Sequence, residues 1–426
     1  MLAPCPCINY PLFKKFGRYF SITLLIKSFF IALIASSFLL FEVLSWHNPY
    51  LQAVLALGGF YLVIINKRLF WIGFFIGVIW FWWIALSFRY YDLTWMIPLV
   101  IIAIGLVYGI IFKIAEAIGS LLQRAFSWQI YPYTNALFLF LVSYIHPFNF
   151  NWYIPELALL HTPFGVDKLS FGLILIVLLL LSLCSFLAAL IAALLLTAAL
   201  HHYTPQPIAP LKISLVTTHV PQDKKWKAAY RKKIIETNLQ AINNAIAKKY
   251  DVVVLPESAF PLFLDYNTPL LLKLLQLSHK IAIVTGALHA EGQKIFNSTF
   301  VFHKGRFIIL DKVILVPFGE EIPLPKPLAK WVNNLFFDGA SDYSAAKTPQ
   351  TYTIKGVTFT NAICYEATHP LIYHTSTPYI IAISNNAWFI PSYEPLLQNL
   401  IIKYYATIYK KVVYHATNIA KTEIIR

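Results

Sequence analysis

The chain predicts a helical transmembrane bundle followed by a layered α/β domain, and three observations carry that expectation. Of its 426 residues, 58% are hydrophobic and only 12% are charged, against roughly 25% charged in an ordinary soluble domain. The charge is uneven: residues 1–200 hold ten Lys/Arg and five Asp/Glu, leaving 24 and 14 for residues 201–426. In the second part strand-like and helix-like segments alternate, which predicts a layered fold. The division is drawn at 1–205 and 206–426.

At the amino terminus, Lys14, Lys15 and Arg18 precede a long apolar run that lacks a small-residue cleavage site. This reads as a signal anchor that stays attached. Spans are then expected at Ser28–Leu44, Leu51–Ile65, Leu69–Phe88, Leu93–Phe112 and Thr134–His146. Leu69–Phe88 and Leu93–Phe112 are each charge-free over 20 residues, enough to cross roughly 30 Å of hydrocarbon at about 1.5 Å per residue. Lys67-Arg68, and then Lys113 with Arg124, fall on the same side as the amino-terminal cluster, which the positive-inside rule makes the cytoplasm. The linker Asn149–Lys168 then lies outside.

The apolar run Leu169–Leu200 has 32 residues, about 48 Å as one helix. That is overlong for one crossing and short for two. One crossing leaves the second part in the cytoplasm; two, broken near Ser182-Leu183-Cys184-Ser185, return it to the outer face. Two are adopted, giving about seven spans. A transporter would carry ionisable residues within its spans, whereas the two charge-free spans have none and Arg89 and Asp92 sit at an interface. The bundle reads as an anchor and lipid-facing platform.

In the second part, strands are expected at Lys212–Val216, Val252–Leu255, Ile281–Thr285, Ser298–His303, Phe307–Leu310, Val357–Ile363 and Tyr379–Ser384. Ile235, Leu239, Ile242 and Ile246 recur at helical spacing. Glu257, Lys312 and Cys364 each come just after a strand, where sites gather in layered α/β folds. A glutamate, a lysine and a cysteine so placed make a base, a cation and a nucleophile. The ordinary reading of one cysteine is a buried core thiol; the matching placement of the other two favours the nucleophile. Cys5, Cys7, Cys184 and Cys364 show no paired or metal-finger spacing.

Pro256-Glu257-Ser258-Ala259, Lys312 followed by Leu315-Val316-Pro317-Phe318-Gly319-Glu320, Ile363-Cys364-Tyr365-Glu366 and Ser384-Asn385-Asn386-Ala387-Trp388-Phe389 together resemble the nitrilase superfamily. With the preceding bundle and the stretch Val220-Pro221-Gln222 to Trp226, the pattern is similar to the apolipoprotein N-acyltransferase family. That resemblance implies a nitrilase-like α-β-β-α sandwich, with Glu257 as general base, Lys312 as the cation at the oxyanion and Cys364 as nucleophile. It also implies that Glu320 is a supporting carboxylate, that Tyr365 and Glu366 follow the nucleophile as further support, and that Trp226 and Trp388 are aromatics on loops around the entrance. The implied donor is a phospholipid, mainly phosphatidylethanolamine. The implied acceptor is the α-amino group of the lipidated amino-terminal cysteine of an apolipoprotein. The enzyme would lie in the bacterial inner membrane with its catalytic domain on the periplasmic side, in contact with membrane lipids and as a monomer.

Such acyl transfer is easier in two steps through a thioester, because a thiolate attacks an ester better than a hydroxyl does. The thiol pKa would have to fall below about 8.5. Water must be kept from the thioester, and Trp226 and Trp388 could do this unless they simply pack in the core. The stretch Lys224, Lys225, Lys227, Arg231, Lys232 and Lys233 reads as a solvated face, with attraction to anionic headgroups as the functional alternative. Nucleic acid is a poor partner for a membrane-tethered domain. No cofactor is expected, and the histidines show no metal-ligand spacing.

The chain departs from the family pattern in ending at Arg426, soon after Thr417-Asn418, where the family continues into a last strand pair and a span. The catalytic domain is therefore expected to be short at its carboxy terminus. Ile408, His415 and Ala420 replace a common glutamate, arginine and glycine. Alternative functions are a membrane-tethered amidase of nitrilase type and an inactive membrane scaffold.

Overall fold

The computed structural model describes residues 20–126, 129–183, 185–201, 203–325, 327 and 343–426. The proposed amino-terminal anchor's basic cluster, and Cys5, Cys7 and Cys184, lie outside the described residues.

The apolar part is helical. Helices α1 (Ile22–Ala35) and α2 (Ser37–Val43) bend by 57° at Ser36. They are followed by α3 (Pro49–Ile64), α4 (Phe70–Phe81) with a tight 3-10 continuation to Tyr91, α5 (Ile97–Ala125), α6 (Tyr131–Leu141), α7 (Lys168–Leu181) and α8 (Phe186–Ala198). Phe70–Tyr91 and Thr94–Ala125 are long and apolar enough to cross a membrane, as is the bent α1–α2 pair if counted as one span. α4 and α5 pack closely because small residues face the partner helix: a Cβ on Gly73 would come within 2.5 Å of the Phe112 ring.

The long run splits where the sequence expects. Asp167 caps α7 by accepting from Ser170 N–H, and Ser185 caps α8 by accepting from Ala188 N–H; a serine or aspartate at that position satisfies otherwise orphaned helix N–H groups. The two helices form a hairpin, since Gly165 N–H donates to Ala199 O at 2.9 Å and His201 N–H to Pro163 O at 3.1 Å. The chain thus comes back beside the point where it entered α7. Each arm is only about 20 Å long at about 1.5 Å per residue. The linker before it is not a loose loop: Asn151 through Leu159 are all buried, and Glu156 pairs with Lys168 inside the protein.

The second part is two sheets between helices. The first sheet runs β1 (Ile213–Leu215), β2 (Val252–Val254), β4 (Ala282–Glu291), β5 (Lys294–His303), β6 (Arg306–Asp311), with β3 (Phe260–Phe263) also on β4. The second runs β11 (Glu423–Ile425), β10 (Val412–Asn418), β9 (Tyr379–Asn385), β8 (Val357–Ile363), β7 (Thr351–Ile354). Strands β1, β2 and β4 are parallel, as are β8, β9 and β10.

Alternation along the strands builds the layers. Val252 and Val254 face Ile381, Ile383 and Ile363 in the core between the sheets. Val253 turns outward to Ile242 on α10 (Ala228–Ala247) and Leu274 on α11 (Thr268–Leu277). On the other side, Ile380 and Ala382 turn outward to Ile402 and Ala406 on α13 (Glu394–Tyr409) and to Ile372 on α12 (Pro370–Tyr373). This is the expected α-β-β-α sandwich. The opposite face of α13, through Leu397, Leu400, Ile401 and Tyr404, joins the core of the membrane bundle. One helix therefore cements the two parts together.

Candidate active site

Glu257, Lys312 and Cys364 each stand where the sequence predicts, just beyond β2, β6 and β8. Glu257 is buried, and both carboxylate oxygens are held: Asn297 Nδ2 donates to Oε1 and Asn385 N–H to Oε2, each at 2.7 Å. Its backbone is pressed against Gly286, where a Cβ would lie 2.4 Å from Ser258 N and 2.7 Å from Glu257 Cα. Only glycine fits there.

Lys312 is fully buried, with its backbone N–H donating to Asn297 O at 2.9 Å and its Nζ 2.6 Å from Glu320 Oε2. An ammonium has three N–H groups, and Glu320 is the one salt-bridge partner of Nζ among the described residues, so N–H capacity remains for an incoming oxygen. Glu320 is held in turn by Asn297 Nδ2 at 2.9 Å and by Val316 N–H at 2.9 Å. Asn297 thus bridges the two carboxylates. Burial pushes the Lys312 ammonium down, but Glu320, Glu257 and Cys364 outweigh it and hold the group above the usual lysine range.

Cys364 opens the turn after β8 with φ 54°, a left-handed conformation that is uncommon for a residue with a side chain. Its half-buried sulfur lies 3.9 Å from Gln398 Nε2. Burial, then Glu257, pushes the thiol well above its ordinary value, with Lys312 pulling the other way. This corrects the expectation of a lowered pKa. A sulfur so placed keeps its proton at rest.

Glu366 ties the Cys364 turn to the loop that follows Lys312. Its Oε1 accepts from Val313 N–H at 2.5 Å and Ile314 N–H at 3.2 Å, and its Oε2 accepts from Ile363 N–H at 2.8 Å. Burial lifts its carboxyl to about 7, against Lys312 and those N–H donors. Tyr365 faces the membrane part: its hydroxyl donates toward Asn151 Oδ1 at 2.8 Å and Asn149 O at 3.1 Å, and its ring stacks on Phe150 at 5.8 Å. Trp152 Nε1 reaches Thr368 Oγ1 at 2.7 Å. The loop after β9 is docked likewise, through Arg89 to Ile390 O at 2.6 Å and Tyr90 hydroxyl to Ala387 O at 3.1 Å. Trp388 packs against Tyr90 and Tyr91, whereas Trp226 is 38% exposed at the end of the short helix α9 (Gln222–Lys225).

Several residues of this site were not singled out from the sequence. Asn297, which opens the polar run Asn297-Ser298-Thr299 in β5, carries no sequence signal for its bridging role, which comes from its distant partners Glu257 and Glu320. Lys225 corrects the reading of its basic stretch as a solvated face: its neighbours are exposed, but Lys225 is 3% exposed and donates to Glu257 O at 2.9 Å. Asn386 Nδ2 donates to Glu394 Oε2 and Gln398 Oε1, each at 3.0 Å, which turns the Gln398 amide nitrogen toward sulfur. The second sheet does extend past Thr417-Asn418, since β11 pairs antiparallel with β10. His415 is buried between Asn399 and Ser384 at 2.9 and 2.7 Å, and burial lowers its pKa to about 3, so it is a neutral imidazole.

Residues 22–202 match the family model of the apolipoprotein N-acyltransferase integral membrane domain, and residues 213–421 match that of carbon-nitrogen hydrolases. The apolipoprotein N-acyltransferase of Wolinella succinogenes is 42% identical over 400 residues, which cover 92% of this chain and 94% of that protein. That of Helicobacter hepaticus is 40% identical over 391 residues, covering 89% and 94%. Among solved structures, a carbon-nitrogen hydrolase superfamily protein from Xanthomonas campestris aligns with 50% of this chain and 77% of its own, at 16% identity and a TM-score of 0.39. Since the matches take in the membrane bundle and the sandwich in one order, and the relatives are covered nearly end to end, the chain belongs to the apolipoprotein N-acyltransferase family.

Proposed function

We propose that this membrane protein transfers an acyl chain from a phospholipid, phosphatidylethanolamine foremost, to the α-amino group of the diacylglyceryl-cysteine that begins an apolipoprotein. The reaction passes through a thioester on Cys364, the ping-pong route of an acyltransferase, and is the last step of lipoprotein maturation. It takes place at the outer face of the inner membrane with the catalytic domain in the periplasm, and the working unit is a monomer. The observation that carries this reading is the chain of contacts from Glu257 through Asn297 and Glu320 to Lys312, beside a cysteine whose turn is bolted to the membrane part.

In the first half-reaction Glu257 takes the Cys364 proton as sulfur bonds to the ester carbonyl carbon, and the carbonyl oxygen becomes an oxyanion facing the Lys312 ammonium. Collapse breaks the ester C–O bond, and the proton on Glu257 passes to the departing lysophospholipid alcohol. In the second, the neutral amine attacks the thioester carbon and gives a proton to Glu257. The C–S bond breaks, and the thiolate recovers that proton. Glu320 and Asn297 keep base and cation apart yet fixed, so neither has to reorganise as charge develops.

The test is acylation by labelled phosphatidylethanolamine in detergent or nanodiscs. The wild type should retain label on Cys364 and release it to a synthetic lipopeptide with a diacylglyceryl-cysteine terminus; Cys364→Ala should retain none. Release of ammonia from small amides without acylation would instead make the protein an amidase.

A further inference from the structure

Lys225 is a buried ammonium whose one hydrogen bond among those described goes to a peptide carbonyl, that of Glu257, at 2.9 Å. Taking a lysine out of water is costly, and a structural carbonyl could be satisfied more cheaply by a backbone or amide donor. The charge itself therefore calls for an explanation. The groups that act on it are Glu257, from the turn after β2, and Cys364, from the turn after β8; Asp223 and Lys224 are the other charged residues on its own helix.

A second contact from the same four-residue helix bears on the same carboxylate. Gln222 is buried and its Oε1 accepts from Asn385 Nδ2 at 2.9 Å, while the Asn385 backbone N–H holds Glu257 Oε2. Asn418 completes the frame, donating to Asn385 Oδ1 at 2.7 Å and to Val220 O at 2.8 Å. The segment Val220–Lys225 thus grips both ends of Glu257, its backbone directly and its carboxylate through Asn385. The residue that follows, Trp226, is the partly exposed one.

We propose that Lys225 is a positioning residue of the acyl-transfer reaction, a second cation that holds Glu257 in register through its carbonyl oxygen and links the Trp226 segment to it. This rests on the reading of Glu257 as the general base. With the segment seated, the Glu257 carbonyl and carboxylate are both held; were the segment to lift, the carbonyl would lose its donor and the carboxylate part of its frame. Burial, offset by Glu257 and Cys364, brings the Lys225 pKa down to about 8, so its grip weakens as pH rises through that value.

The experiment measures acyl-enzyme formation from labelled phosphatidylethanolamine by the full-length protein in nanodiscs, from pH 6 to 10, for wild type, Lys225→Met, Lys225→Arg and Glu257→Gln. Lys225→Met should slow acylation by about 100-fold, the scale of a small misplacement of a reacting group, with the KM for donor changed less than about threefold. Lys225→Arg should recover most of the rate and lack the wild type's loss of rate above pH 8. An unchanged rate in Lys225→Met overturns the proposal. So does a pH profile identical in wild type and Lys225→Arg, whatever either variant does to Tm. Glu257→Gln separates the two readings: if it acylates normally, the assignment of the base fails; if it is inactive while Lys225→Met is normal, only the inference about Lys225 fails.

Discussion

Glu320 and Lys312 form a buried ion pair, Oε2 to Nζ 2.6 Å, at the centre of the site. Removing one partner of such a pair leaves an uncompensated charge in a dry place, typically costing about 3–5 kcal/mol. Glu320→Gln should therefore lower both Tm and acylation rate, whereas the double variant Glu320→Gln with Lys312→Met should regain stability but not activity. Thermal unfolding alongside single-turnover acylation checks this. A double variant as unstable as Glu320→Gln alone would show that the pair does not act as a unit.

Lys312 also sets how readily sulfur ionises. Lys312→Met should slow alkylation of Cys364 by iodoacetamide at pH 8 by about tenfold, corresponding to about one pKa unit. It should slow acylation by a further amount typical of losing an oxyanion donor, about 2.7–4 kcal/mol. Because the wild-type thiol is already held above its ordinary value, alkylation of the wild type should keep rising through pH 9. Peptide-level mass spectrometry follows the site without interference from the other cysteines.

Gly286→Ala places a methyl group against backbone atoms of the Glu257 turn, which cannot step aside as a side-chain tip can. The expected outcome is about 100-fold slower acylation with the sandwich still folded. Full activity in a folded variant would mean that the base tolerates displacement.

Burial raises the Glu394 carboxyl to about 8, with Asn386 opposing and Glu257 adding to the rise. The native state then binds more protons than the unfolded chain between the ordinary 4.5 and about 8. Stability from this neutral acid is complete below that window and is lost as pH rises through it. Glu366, lifted to about 7, acts in the same direction. Tm of the wild type should fall from pH 5 to pH 8.5, and Glu394→Gln, which stays neutral and keeps an acceptor for Asn386, should show a shallower fall. Parallel curves would mean that Glu394 does not titrate there.

Tyr365→Phe deletes the hydroxyl that meets Asn149 and Asn151. Buried partners left unsatisfied typically cost about 1–3 kcal/mol. Acylation should fall along with Tm, because this hydroxyl belongs to the residue directly after Cys364. A loss of Tm alone, with acylation intact, would make the contact purely structural.

Much of this architecture was legible beforehand. Val357–Ile363 is the strand that the β-branched run predicts, residue for residue, and Glu257, Lys312 and Cys364 do come just after strand ends. Short strands were less visible. β3 begins Phe260-Pro261 and β7 is four residues long, so neither offers enough alternation to stand out. β10 does not stand out because its alternate positions His415 and Thr417 are polar yet buried, so its sequence looks like neither a half-solvated strand nor an apolar core run. Asn297, Lys225 and Gln398 could not be read as site residues from composition, because each gains its meaning from a partner 40, 32 or 34 positions away. Lys225 in particular sits among five exposed basic neighbours that hide it.

The turn bearing Cys364 is fastened on one side to a strand of the sandwich and on the other to the aromatic linker before the α7–α8 hairpin. Sulfur position is therefore set jointly by both parts of the protein. Stripping or thinning the bilayer should blunt the thiol's reactivity while the sheets remain intact by circular dichroism.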